Sequence, residues 1–264
     1  MATDNTYDAQ GWSAKLYNKS ASFVYSAAYT APLLGMLQAQ PGEKIVDLGC
    51  GSGEVTFELE KIVRQAPGGL VVGVDFSEAM IAKCKECGMQ HAFVSDIQSL
   101  DIPMSAFNGG DKNFKFDAAF SNATLHCVKK VLKPGGRLAV EFGGMHNCIG
   151  IRSHLHRSLK ACGYDAVSMD PWFFPSVAEY SKLLTAASFR IKQIELVPRI
   201  TALEDGVRGW LELFARTQIL KECSTEEASA IIDEVVEACK PDCLDSEGNW
   251  SMMYTRLRFV AVLN

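Results

Sequence analysis

Ile45-Val46-Asp47-Leu48-Gly49-Cys50-Gly51-Ser52-Gly53-Glu54 is the stretch whose reading decides the fold. Apolar residues run into an acid, glycine then occupies every second position, and a helical apolar pattern starts at once with Val55, Leu59, Ile62 and Val63. That order describes a buried strand, a tight turn and a helix whose N-terminus faces the turn. Glycine allows backbone angles and close approaches that a Cβ would block. The start of a helix offers unpaired N–H groups and a positive dipole end. The run therefore predicts a ligand lying against the backbone.

Outward from it, residues 44–142 alternate strand and helix, which predicts a parallel sheet covered on both faces. The expected strands are Lys44–Leu48, Leu70–Val74, His91–Val94, Phe116–Phe120 and Leu138–Phe142, with Leu100–Lys115 as irregular surface. Ser77 is an expected N-cap. Asp75 and Asp96 end the second and third strands. In open α/β sheets ligands bind outside the carboxyl ends of the strands, and an acid about twenty residues past the glycines reaches ribose hydroxyls. Turn and acids together predict an adenosine-containing ligand.

The glycines are spaced Gly49-x-Gly51-x-Gly53, not G-x-G-x-x-G, which argues against a nicotinamide dehydrogenase. The run resembles the first motif of the class I S-adenosylmethionine-dependent methyltransferases. The resemblance continues through Val74-Asp75-Phe76-Ser77, Ser95-Asp96-Ile97, Phe116–Ala123 and Leu132-Lys133-Pro134-Gly135-Gly136-Arg137-Leu138. It implies an α/β fold: a doubly wound, seven-stranded, mostly parallel, Rossmann-like sheet with an antiparallel last strand and helical cap insertions. The cofactor it implies is S-adenosyl-L-methionine. Gly49 and Gly51 would approach the methionine part, Asp75 the ribose, and Asp96 the adenine amino group. Ile97 would flank the ring and Asn122 would lie near the methionine end. Asp47, Cys50, Phe76 and Met80 complete the expected cofactor set.

The flanks are expected to make the substrate site. Residues 1–43 read as a helical, aromatic-rich segment that includes Trp12, either covering one face of the core or closing as a lid over the ligand, and ended by Gln40-Pro41-Gly42. Residues 44–264 form the methyltransferase domain, with insertions around 145–188 and 201–250. The helix after strand five has the apolar face Ile151, Leu155, Leu159 and Cys162. Three capping boxes, Ser176-x-x-Glu179, Thr201-x-x-Glu204 and Ser224-x-x-Glu227, announce further helices. Arg190–Pro198 and Thr255–Leu263 read as the last two strands. The stretch from Trp210 to Ala261 is loosely similar to the trans-aconitate methyltransferase group, which implies a roof over the substrate carrying Trp210 and Arg216. Between strands four and five only Ser121–Gly136 remain. A helix from Ala123 to Leu132 would span roughly 15 Å, enough to close the crossover. This crowds His126, the foremost general-base candidate, against the active edge, with His146 and Glu141 behind it.

Composition removes other classes. The chain has 264 residues and a formal net charge of −5, which excludes a basic nucleic-acid footprint. Its first residues show no secretory pattern and no apolar run reaches the ~18 residues of a membrane helix. Nine cysteines, odd in number and scattered, suit a reducing, cytoplasmic setting. No metal site is expected: His154 and His156 point apart on a helix, and Cys84-x-x-Cys87 has no second pair and packs with Met80 and Ile81. The expectation is a monomer or homodimer methylating a small molecule, at oxygen first and at a carboxylate within that. An N-, S- or phenolic O-methyltransferase, or a catalytically weak cofactor-binding protein, is the alternative.

Overall fold

The computed structural model describes residues 27–103, 107, 111, 113–122 and 131–264. Seven strands form one sheet: β1 Lys44–Leu48, β2 Leu70–Asp75, β3 Ala92–Val94, β4 Phe116–Asn122, β5 Leu132–Gly143, β6 Phe189–Ala202 and β7 Ser251–Leu263. Their order is β3-β2-β1-β4-β5-β7-β6. The first five pair in parallel, and β7 runs antiparallel to both β5 and β6. The strand order reverses between β1 and β4, so the switch point lies beside the glycine run. This is the doubly wound, mostly parallel sheet with an antiparallel last strand that was expected.

Burial on both faces explains the continuous apolar strands. Successive side chains alternate between faces, so Ile45, Ala118 and Ala139 join one cluster while Val46, Ala119 and Val140 join the other. The first cluster is covered by α1 (Ala27–Leu37), through Leu33 and Leu37, and by α2 (Glu54–Val63), through Val55, Leu59 and Val63. Helix α3 (Glu78–Glu86) starts at Ser77, whose hydroxyl accepts from the Met80 amide at 3.2 Å.

β6 and β7 are the two longest strands, with 14 and 13 residues. β6 and β7 pair from Phe189 with Leu263 out to Ala202 with Ser251, whereas β5 leaves β7 at Gly143 opposite Arg256. The remaining rungs form a two-stranded arm projecting past the carboxyl edge of the sheet. A separate apolar cluster is anchored on this arm through Met252 and Tyr254. It gathers α4 (Ile149–Ala161), the short α5 (Ala166–Met169) and α7 (Gly206–Trp210), a π turn at Leu211–Ala215, and α8 (Thr225–Cys243). Helix α6 (Val177–Ala186) instead packs on the sheet through Leu184. The expected boxes at Ser176 and Ser224 both form.

Four local expectations need correction. Thr201 caps no helix; it pairs with Met252 inside β6, and the following helix starts only at Gly206. The cross-strand ladder outcompetes the local cap. β5 begins at Leu132, paired with Phe116, and Lys133–Gly136 bulge out before pairing resumes at Arg137. A helix therefore cannot reach Leu132; residues 123–130 lie outside the described residues. Cys162 and Cys87 are exposed, because each is the C-cap where its helix turns off the core. Among the described residues no helix is long and apolar enough to cross a membrane.

Candidate functional site

The carboxyl edge of the sheet divides into two halves of opposite charge. At β1 the chain leaves the strand through Gly49, Gly51 and Gly53, all at positive φ (76°, 56° and 96°). Side chains rarely adopt such angles. The Gly49 and Cys50 amides both donate to the Val74 carbonyl, at 2.8 and 3.0 Å, which ties the turn to β2. Asp75 then fixes the opening: its Oδ2 accepts from the Gly51 amide and its Oδ1 from the Ser77 amide, each at 2.9 Å. A Cβ on Gly53 would come within 2.6 Å of the Cys84 Sγ, and one on Gly73 within 2.9 Å of the Cys50 Sγ. The turn is therefore packed closely from behind, against Cys84 and Cys50.

Around it stand Phe76, 51% exposed beside Asp75, and the turn Asp96-Ile97 after β3. Asp47 lies beneath the loop, buried, and accepts from the Thr56 hydroxyl at 2.7 Å. Burial pushes its carboxyl up to about 7, against the lowering bond from Thr56, and the Asp75 charge adds to the rise. The Cys50 thiol points into the core, so this residue offers the mouth only its backbone. Met80 and Ile97 are buried supports. Asn122 ends β4, in register with Glu141 on β5.

The second half starts at Glu141, 1% exposed. Its Oε2 accepts from Arg258 Nε at 2.7 Å; its Oε1 accepts from Arg256 Nε at 3.3 Å and from an Arg199 terminal nitrogen at 3.4 Å. Arg256 and Arg258 are only 8% and 9% exposed. The Arg199 guanidinium lies 3.9 Å from the ring centre of Tyr29 on α1. Three guanidinium groups thus share one buried carboxylate at the root of the arm.

Sequence reasoning missed this group as a unit. The signal was present in Arg256-Leu257-Arg258, two charges on one face of a strand otherwise apolar from Leu257 to Leu263. Glu141, expected as a reserve base, is instead the anchor of the arginines. His146 sits exposed in a turn at φ 70°. His126 and Trp12 lie outside the described residues.

Two expected roof residues have other occupations. Trp210 is buried in the cap cluster, donates from its indole to the Tyr254 hydroxyl at 2.6 Å, and packs on Trp172 and Phe214. Arg216 is engaged by the Glu212 carboxylate and the Ser229 hydroxyl. Arg216 thus lies in the cap, whereas the arginines on Glu141 lie at the root of the arm. Among the described residues no group of three or more His, Cys, Asp or Glu could hold a metal.

Comparison with known proteins meets the same geometry from outside. Residues 39–170 match the methyltransferase-domain family. The chain is 32% identical to the uncharacterized methyltransferase C70.08c of Schizosaccharomyces pombe over 95% of its own length and 97% of that protein. It is 31% identical to trans-aconitate 2-methyltransferase of Deinococcus radiodurans over 50% of the chain and 51% of that protein. Among solved structures, the YcgJ protein of Bacillus subtilis superposes with a TM-score of 0.55, at 15% identity over 90% of this chain and 99% of that one. With the sheet order, the glycine cradle and these relatives in hand, the chain belongs to the class I S-adenosylmethionine-dependent methyltransferases.

Proposed function

We propose that the protein transfers a methyl group to an oxygen of a small organic acid, a carboxylate being the acceptor. The observation that carries this reading is the division of the edge: Asp75 and Asp96 after β2 and β3, Arg199, Arg256 and Arg258 on the β5–β7–β6 side. S-adenosylmethionine supplies, when bound, a methyl group already activated on a sulfonium, and the acidic half suits a cationic donor.

The residues present fit that cofactor. The Asp75 carboxylate can accept from ribose hydroxyls while Gly51 and Ser77 hold it in place. Phe76 offers exposed apolar surface for the adenine, Asp96 an acceptor for its amino group, and the side-chain-free Gly49–Gly51 turn suits the methionine part. Asn122 stands where the two halves meet.

What remains for the chain is alignment, an effect that can supply several kcal/mol. A carboxylate nucleophile needs no base, and its attack on a cation removes two charges, which a site shielded from water favours. The arginine side draws an acid to the edge, and the cap on the β6–β7 arm limits its size. That the trans-aconitate enzyme, a relative over half its length, is named for an acid acceptor agrees with this reading.

The test is transfer of labelled methyl from the cofactor to a panel of acids, each paired with its uncharged primary amide. Label in a base-labile ester, with a rate flat from neutral to alkaline pH, is the expected result. Label only in phenols or amines, with a rate rising through a group near pH 7, would remove the carboxylate assignment.

A further inference from the structure

Glu141 cannot balance the charge gathered on it. One carboxylate faces three guanidinium groups. The other described acid near them is Glu195, 3.9 Å from Arg258 and 43% exposed at the rim. Burying a charge without a partner is costly, and a single well-placed arginine suffices for a buried carboxylate. The three are also unequal. Arg258 donates to Glu141 closely, at 2.7 Å, while Arg256 and Arg199 reach it only at 3.3 and 3.4 Å. The Arg199 Nε is buried and has no hydrogen-bond partner among the described residues. Burial also loosens the Arg199 proton relative to an ordinary arginine. A guanidinium with an unused donor, stacked on Tyr29 and beside two like charges, is arranged to receive an anion.

We propose that Arg199, Arg256 and Arg258, gathered on Glu141 beneath Tyr29, form a subsite for a second, non-reacting carboxylate of the acceptor. This rests on the acid-acceptor reading above and adds a requirement to it: the substrate carries two acid groups. An oxygen neutralised by several guanidiniums is a poor nucleophile, so the carboxylate held here is not the one methylated. Distance agrees. β4, whose last residue Asn122 marks the donor side, is separated from β7 by β5 alone. Two strand spacings amount to about 10 Å, so long side chains reaching back leave room for a short diacid between the two positions. Arg199 is the adjustable member, and planar two-point contact with the carboxylate is what an arginine offers there and a lysine does not.

The experiment uses the full chain with three probes of similar length: butanedioate, butanoate and 3-phosphonopropanoate. Calorimetry without cofactor should show butanedioate binding at least tenfold more tightly than butanoate. In Arg199→Ala, and also in Arg199→Lys, which keeps charge, that preference should shrink at least tenfold. In turnover assays both variants should raise the KM of diacids while kcat and cofactor affinity hold. Equal binding of diacid and monoacid, unchanged in both variants, overturns the subsite even if monoacids are methylated, which leaves the acid-acceptor reading standing. Tighter binding of the phosphonate than of butanedioate overturns the carboxylate assignment. Methyl transfer to uncharged acceptors alone overturns the acid-acceptor reading, and with it the assignment of the anion to the substrate.

Discussion

The two halves of the carboxyl edge are built from different materials. On the β1–β2 side the geometry is made by backbone: three glycines at positive φ, paired amides on the Val74 carbonyl, and one carboxylate bridging Gly51 and Ser77. On the β5–β7–β6 side it is made by long side chains that meet from three strands. A backbone cradle suits a ligand that never changes. Side chains on a projecting arm can be exchanged singly without moving the fold, so they suit the partner that differs among relatives.

The largest effect that separates the halves should come from Glu141→Gln. Removing one member of a buried ionic group leaves the others uncompensated, at a cost of about 3–5 kcal/mol. Denaturant unfolding should show that loss, with an acid ligand of the arginines restoring part of it. A change within about 0.5 kcal/mol would mean that the arginines are already balanced, and the contrast between the halves would weaken.

Much of the first half was legible because its parts are close in sequence. Gly51 meets Asp75 across 24 residues and Gly49 meets Val74 across 25, and strand ends can be read from local pattern. The sheet was legible for the same reason: its first strands are short apolar runs, with the helices Glu54–Val63 and Glu78–Glu86 between the first three. The arginine group depends on Glu141 meeting Arg258 across 117 residues, which no local pattern encodes. The Thr201 box shows the converse failure, a sound local cap overridden by pairing with Met252. Trp210 was rightly read as apolar face, but whether that face turned to a ligand or to Tyr254 was decided by the fold of the arm.

The acidic half should respond to pH through Asp47. Its folded-state value near 7 stands above the ordinary 3.8. Between those values the native chain holds a proton that the unfolded chain releases. Stability is therefore untouched below pH about 4, falls as pH rises through the window, and stays reduced above 7. At 1.36 kcal/mol per unit, the ceiling is about 4 kcal/mol. Asp47→Asn should flatten this slope in urea unfolding between pH 4.5 and 7.5. Parallel slopes in the two proteins would show that Asp47 is ionised throughout.

Asp75→Ala should cost less in total but fall directly on the cofactor. The cradle loses the acceptor for two backbone amides and the ribose loses a charged partner. Hydrogen bonds to charged groups are worth about 1.5–3 kcal/mol, so calorimetry should show S-adenosylmethionine binding weakened roughly ten- to a hundredfold. Diacid binding on the other half should change little. Loss of both together would join the two halves into one cooperative site.

The smallest effect is expected at Arg216, and it tests where the basic half ends. Arg216 lies beyond the π turn in the cap, with Glu212 one turn back and Ser229 on α8 completing its contacts. Its side chain is 29% exposed, and Glu212 beside it strengthens its hold on the proton. A half-exposed pair of this spacing contributes about 0.3–0.5 kcal/mol. Arg216→Ala should therefore lower stability only slightly, and the acceptor KM should stay within about twofold of wild type. Arg199→Ala should move the same constant far more, although both variants delete one positive charge and leave the long-range field nearly alike. The pair of substitutions thus separates local recognition from net charge. Equal KM changes in both would mean that the acid is attracted by the field of the whole cap. A larger change at Arg216 would move the acceptor's anchor from the root of the arm into the roof.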